Sequence, residues 1–113
     1  MAYLPNAASA QVPPAKVMRY LLNLSHPEGG AKARFFLSFG FSLGSWQTLA
    51  AALRHHPVRN QVLSAENTGF GTKYAVRCAL ATPDGRDPCI LSIWIDDAAG
   101  RPRLVTAYPA GLS

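Results

Sequence analysis

The chain is poor in cysteine, in acidic residues and in long apolar runs. Two cysteines, Cys78 and Cys89, are too few for a disulfide framework or a metal cluster. No apolar run approaches the roughly 20 residues that a membrane-spanning helix needs. The N-terminus also lacks the basic stretch and apolar stretch of a signal peptide. These absences predict a cytoplasmic protein without membrane contact, folded in a reducing compartment.

Several motifs of enzyme chemistry are missing as well. The chain has no glycine-rich phosphate loop with its lysine and no G-x-S-x-G elbow. His55 and His56 are adjacent, so they cannot face one ion as an i, i+4 pair does on a helix. We therefore expect no metal site and no cofactor.

What the chain does contain is enough apolar material for one core. Its 113 residues are 49% hydrophobic and 15% charged, which is typical of a single compact domain. We predict an N-terminal extension over 1–12 and one α+β domain over 13–113.

The net charge of +5 is unevenly distributed along the chain. Residues 1–60 hold six lysines and arginines against one glutamate, whereas 61–113 hold five against five acidic residues. A one-sided basic surface attracts polyanions, and nucleic acid is the usual partner. RNA is the partner that we expect, and an acidic protein would fit the same surface.

Hydrophobic periodicity predicts three helices in the first half of the chain. The first begins at Pro13-Pro14 and ends at His26-Pro27, with Val17, Tyr20, Leu21 and Leu24 on its apolar face. Gly29-Gly30 then turns the chain into a second helix from about Gly30 to Phe39. The third helix has Ser45 as its N-cap and stops at His55-His56-Pro57, where a cationic histidine would suit the helix dipole.

From Gln61 onward the period becomes two, which predicts strands near 62–67, 73–81, 89–95 and 103–108. TPDGRDP contains Asp84-Gly85, a two-residue hairpin signal, and DDAAGRP supplies the next turn. The fold class is therefore α+β, with about three N-terminal helices packed on one face of a four-stranded antiparallel β-meander. In the register set by the hairpin, both cysteines face the helices and Trp94 lies on the open face.

The segment HPEGGAKARFF, residues 26–36, combines a histidine with two cations at the start of a helix. RNA cleavage without a metal needs a base for the 2′-hydroxyl, a cation for the phosphate and an acid for the leaving oxygen. We predict His26, Lys32 and Thr106 as the catalytic residues. The predicted substrate-binding residues are Arg34, Arg77, Trp94 and Tyr108.

The strings LPNA, KVMRYLLN, HPEGGAKARFF, TKYAV, TPDGR and RPRLVTAYP together resemble a widespread, uncharacterised bacterial domain family. The last string is also similar to the closing strand of the barnase–EndoU–colicin–RelE superfamily of toxin ribonucleases, which place helices ahead of a four-stranded antiparallel sheet. This resemblance implies a site on the open sheet face, with Thr106 from the closing strand and His26 or Lys32 from the helices.

The sequence thus predicts a small metal-independent endoribonuclease of toxin type, acting in its own cell or delivered into another one. An acidic antitoxin or immunity protein would be its inhibitor. One alternative is a non-catalytic module that binds nucleic acid or protein. Another is a structural accessory domain, in which the motif residues, His26 and Lys32 included, mainly hold the helix pair on the sheet. The oligomeric state stays open.

Overall fold

The computed structural model describes residues 2–28, 30–96 and 100–110. A helical turn, α1 (Pro14–Lys16), continues directly into a π-helical turn, Val17–Leu21. The longer helices are α2 (Gly30–Ser38) and α3 (Trp46–Arg59). Four strands follow: β1 (Val62–Thr68), β2 (Gly71–Ala79), β3 (Cys89–Asp96) and β4 (Arg103–Pro109). Gly29 and residues 97–99 of the predicted turns lie outside the described residues.

The strands form one antiparallel sheet in the order β1-β2-β3-β4. Successive strands joined by short connections pair with each other, which is why the chain order and the sheet order agree. The predicted α+β fold with a four-stranded meander is confirmed. None of the helices in the described ranges is both long enough and apolar enough to cross a bilayer.

The core lies between the helices and one face of the sheet, and it includes the segment before α1. Leu4, Ala10 and Val12 are buried in it. Gln11 pairs with β4 through a bond from its N–H to the Pro102 carbonyl (2.8 Å) and one to its own carbonyl from the Leu104 N–H (2.9 Å). The largest fully buried side chains elsewhere are Trp94, Phe36, Leu21, Leu49, Leu53, Leu80, Ile90 and Leu104.

The register between β2 and β3 differs by one residue from the predicted one. Tyr74 lies opposite Trp94 and Val76 opposite Ser92. The connection is not a two-residue turn, because a bond from the Leu80 N–H to the Pro88 carbonyl closes a longer loop around Asp87, which has a φ of 46°. A shift by one residue moves every side chain of a strand to the other face.

Two predictions about faces are wrong, and the shift accounts for Trp94 and Cys89, whereas Cys78 on β2 has an irregular backbone with a φ of 135°. Trp94 is fully buried against the helices instead of exposed on the open face. Cys78 is exposed and Cys89 half-buried, so the prediction that both thiols face the core is wrong. The open face carries Leu91 and Ile93 instead.

The third helix also differs from its prediction, because it continues through Pro57 to Arg59. His56 and Pro57 are both fully buried, and this packing holds the last turn in place. Asn60 closes the helix end by donating its side-chain N–H to the His56 carbonyl at 3.0 Å. Ser45 occupies the predicted N-cap position, but its side chain makes no capping hydrogen bond.

A buried chain of hydrogen bonds joins α3 to the sheet. The Trp94 indole N–H donates to the Ser92 hydroxyl at 2.8 Å, and that hydroxyl lies 2.7 Å from His56 Nδ1. His56 Nε2 lies 2.8 Å from the Cys78 carbonyl oxygen. A carbonyl only accepts, so Nε2 carries the ring proton and Nδ1 accepts from Ser92. We call these residues the His56 network; burial lowers the pKa of His56 and keeps the ring neutral, contrary to the predicted cation.

Candidate active site

Lys32 lies at the centre of a half-buried cluster where α2 meets β4. It is the third residue of α2, and its ammonium group donates to the Tyr20 hydroxyl and, at 3.1 Å, to Thr106 Oγ1. The same ammonium lies 5.9 Å from the centre of the Tyr108 ring. An ammonium group has three donors, and in the described part of the chain the third one has no hydrogen-bond partner. We call Tyr20, His26, Lys32, Thr106 and Tyr108 the Lys32 cluster.

Tyr20 enters this cluster from the π-helical turn. Its ring lies 4.7 Å from the Lys32 ammonium and 5.5 Å from that of Lys16. The hydrogen bond from Lys32 lowers the pKa of Tyr20 below its usual value near 10.0, burial opposes this effect, and the Thr106 hydroxyl adds to the lowering. Tyr20 therefore releases its proton more readily than an ordinary tyrosine.

His26 packs the edge of its ring against Tyr20, with ring centres 4.8 Å apart and planes at 86°. Its Nδ1 accepts the Glu28 N–H at 3.0 Å within the turn that precedes α2. In the neutral ring the proton is therefore on Nε2.

Glycine at position 30 allows the turn to bring His26 and Lys32 together. The Gly30 N–H donates to the His26 carbonyl at 3.0 Å. A Cβ atom at this position would lie 2.9 Å from the Leu24 carbonyl oxygen, which is too close for any other residue without backbone movement. The glycine thus allows the end of the first helix and the start of α2 to approach closely.

A cleft on the open face of the sheet continues from the cluster. It has a volume of about 210 Å³ and is lined by Ser64, Glu66, Lys73, Tyr74, Ala75, Ile93 and Tyr108. Tyr108 belongs to both the cleft and the Lys32 cluster. Glu66 and Lys73 lie directly opposite each other on β1 and β2. The cleft is polar on one side and bounded by an aromatic ring on the other.

Four of the predicted site residues lie together in the structure: His26, Lys32, Thr106 and Tyr108. Arg77 lies in one row with Leu91 and Tyr108 across three strands, about 10 Å from Tyr108 at the usual strand spacing.

Two predicted binding residues lie elsewhere. Arg34 is exposed on α2, and two residues along a helix correspond to a rotation of about 200°, so it faces away from Lys32. Trp94 is buried in the His56 network and is not available to a ligand.

Sequence reasoning missed Tyr20, because the 3.6-residue period assigned it to the apolar face of the first helix. Its neighbours Val17 and Leu21 are indeed buried, whereas Tyr20 is only half-buried. A tyrosine at the edge of an apolar helix face has a hydroxyl group that needs a hydrogen-bond partner. That hydroxyl is the sequence feature that could have identified Tyr20.

The cluster has the charge and donors for an anion and lacks an obvious metal site. In the described ranges no group of three or more potential metal-binding side chains occurs. The ammonium groups of Lys16 and Lys32 flank one tyrosine, and Glu28 is the acidic side chain that influences its pKa. Such an arrangement suits a phosphate group and proton transfer at its oxygens.

Comparison with solved structures shows the same fold in another protein. A chain of a contact-dependent growth inhibition toxin–immunity protein complex from Klebsiella pneumoniae 342 superimposes with a TM-score of 0.71 and 14% sequence identity. The match covers 91% of this chain and 95% of that one. No curated protein sequence matches this chain. A family model does match residues 3–111, and the chain accordingly belongs to the domain family of unknown function DUF6883.

Proposed function

We propose that this protein is a metal-independent endoribonuclease of bacterial toxin type, with the Lys32 cluster as its active site. The observation that carries the proposal is the Lys32 ammonium, which joins the Tyr20 hydroxyl to Thr106 Oγ1 beside the ring of His26. The basic first half of the chain supports RNA as substrate. The similarity of V-T-A-Y-P on β4 to the closing strand of toxin ribonucleases supports the same class.

The reaction would be attack of a ribose 2′-hydroxyl on the adjacent phosphate, with departure of the 5′-oxygen. Tyr20 acts as the base, because its lowered pKa makes the phenolate accessible. Lys32 stabilises both the phenolate and the charge that grows on the phosphate oxygens. The proton taken up by Tyr20 is then available to the leaving oxygen.

The other members of the cluster bind and orient the RNA. His26 packs against the ring of Tyr20 and orients it, and Thr106 holds Lys32 in position. Tyr108 stacks on a base at the entrance of the open-face cleft. Arg77, farther along the same face, contacts the following phosphate, and Arg34 adds long-range attraction only.

A toxin of this kind needs an inhibitor in the cell that makes it. The fold similarity to a chain of a toxin–immunity protein complex supports such a partner. The net charge of +5 supports an acidic one, because opposite charges speed association. The same similarity supports action after delivery into another cell.

The proposal is tested by incubating purified protein with RNA in the presence of a chelator. We expect cleavage products with 2′,3′-cyclic phosphate ends. Tyr20→Phe and Lys32→Ala should each lower kcat/KM by about 10²–10³-fold, since each removes one proton-transfer or charge-stabilising group. Wild-type kcat/KM should rise with pH until Tyr20 ionises, and this rise should be absent in Tyr20→Phe.

Arg54→Ala is the matched control, because it removes an exposed cation of the basic half from α3. It should lower kcat/KM far less than the two cluster variants, because it removes one cation of the basic half and no member of the cluster. Thermal melts of all variants separate lost activity from lost folding. Unchanged cleavage by folded Tyr20→Phe and Lys32→Ala would remove the cluster from the mechanism, and absence of cleavage of any RNA would contradict the enzyme.

A second candidate is a non-catalytic module that binds RNA. The observation that favours it is that Lys32 already bonds two groups of its own chain, as a structural lysine does. Under this alternative, RNA affinity falls steeply with salt and no RNA is cut. Lys32→Ala would then lower the melting temperature rather than any rate.

A further inference from the structure

Cys78 and Cys89 lie next to each other where β2 ends and β3 begins. Cys89 on β3 lies directly opposite Ala79 on β2. Cys78, the residue before Ala79, is therefore a diagonal neighbour of Cys89. Both cysteines are free, Cys78 is exposed and Cys89 is half-buried. Neither belongs to the Lys32 cluster or to the cleft.

An irregular backbone is what brings the two thiols together. Strict alternation along β2 would bury Cys78 with Val76 and Leu80, which are both fully buried. Instead, Cys78 has a φ of 135°, which a non-glycine residue rarely adopts, and its side chain is exposed. The side chain of Cys89 alternates with buried Ile90 and so lies on the open face as well.

The surroundings make the two thiols chemically different. Burial raises the pKa of Cys89 to about 11, and the neighbouring Cys78 adds to this effect. Arg77 acts in the opposite direction. The exposed thiol of Cys78 is therefore the one that reacts first with a reagent from solution.

We propose that Cys78 and Cys89 are a modification site that closes to an intramolecular disulfide by exchange with a small-molecule disulfide such as oxidised glutathione. The Cys78 thiolate attacks one glutathione sulfur, forms a mixed disulfide and releases one glutathione, which takes up the proton. Cys89 then loses its proton and attacks the Cys78 sulfur, which releases the second glutathione. Two protein thiols are oxidised, and one glutathione disulfide is reduced to two thiols.

The test is titration of the folded protein with defined ratios of oxidised and reduced glutathione, followed by acid quenching and intact mass. Wild type should lose two hydrogen atoms and form a single peptide link between Cys78 and Cys89. Cys89→Ser should stop at one bound glutathione on Cys78, because the resolving thiol is gone. Cys78→Ser should react much more slowly, because only the less reactive thiol remains.

The same titration in denaturant measures what the fold contributes. We expect the equilibrium constant for closing the disulfide to be about tenfold or more higher in the folded chain than in the denatured one. A lower constant in the folded chain would overturn the proposal. Accumulation of doubly glutathionylated wild type without loss of two hydrogens would overturn it too. These outcomes do not depend on any ribonuclease activity.

Discussion

Two polar clusters in this protein each contain a histidine, and they differ in how completely their groups are paired. In the His56 network every donor meets an acceptor: the Trp94 indole, the Ser92 hydroxyl, the ring nitrogens of His56 and the Cys78 carbonyl form one continuous chain. The Lys32 cluster is half-buried, and among the described residues one donor of its central cation has no hydrogen-bond partner.

The difference shows how burial separates structural from chemical use of the same residue type. A buried histidine with two bonded nitrogens has no access to solvent or substrate, so it stabilises packing and specifies the position of α3 on the sheet. The Lys32 cluster contains a lysine and no acidic side chain, and it shares Tyr108 with the open-face cleft. Of the two, only the Lys32 cluster combines a cation with partial exposure to solvent.

The largest effect should come from breaking the His56 network. His56→Ala removes a fully buried side chain, so the Ser92 hydroxyl loses its acceptor and the Cys78 carbonyl loses the donor from the ring. We expect it to lower the free energy of unfolding by about 3–5 kcal/mol, measured by urea denaturation. His55→Ala, at the exposed neighbouring position, should change it by less than about 0.5 kcal/mol. Equal effects of the two substitutions would contradict the comparison.

A smaller effect is expected where the chain turns into the Lys32 cluster. Gly30→Ala should lower the free energy of unfolding by about 1–3 kcal/mol, because its Cβ meets the Leu24 carbonyl oxygen, although alanine ordinarily favours a helix. Gly44→Ala is the control, since a Cβ there meets nothing within 4 Å. Chemical denaturation of both variants checks this prediction, and a stabilised Gly30→Ala protein would disprove the close approach.

The smallest effect is a dependence of stability on pH. The pKa of His56 is lowered from 6.5 in the folded chain, so below that pH the unfolded chain binds a proton that the folded chain does not. The free energy of unfolding should therefore fall as the pH drops from about 6.5 towards the pKa of His56 in the folded chain. Above a pH of about 6.5 the contribution of His56 to stability should be constant. Melting temperatures of wild type, His56→Gln and His55→Gln over this range are the measurement. Only His56→Gln should show a reduced slope.

The sequence predicted the element types and their order well, because periodicity is a local property. The change from a 3.6-residue to a two-residue period near Gln61 marks the boundary between the helices and the meander. The register was wrong for a local reason that composition does not show. Thr82 and Asp87 bond each other at both main chain and side chain and lengthen the loop around Asp84-Gly85. One extra residue then exchanged the two faces of β3.

The candidate site was predicted only in part, because local patterns identify polar residues and packing between elements decides which of them meet. Lys32 and Thr106 were recognisable as polar groups on a helix and on the last strand, and the structure joins them. Tyr20 was not recognised, because periodicity gives the face of one helix and says nothing of the groups that pack against its margin. Arg34 and Lys32 are two residues apart, and only the packing of α2 on β4 decides which of them faces the cluster.

The π-helical turn Val17–Leu21 makes the first helix sensitive to the loss of a single residue among homologues. The Leu22 N–H donates to the Val17 carbonyl at 2.9 Å, five residues back, so the turn contains one residue more than an α-helical turn. Deleting one residue here would restore a regular turn and rotate the residues before it by about 100° relative to the residues after it. Val17 and Leu21 could then no longer both reach the core while Tyr20 reaches Lys32. Homologues with a one-residue gap at this point of an alignment would thus have this tyrosine turned away from the lysine. Homologues without the gap would keep it in place.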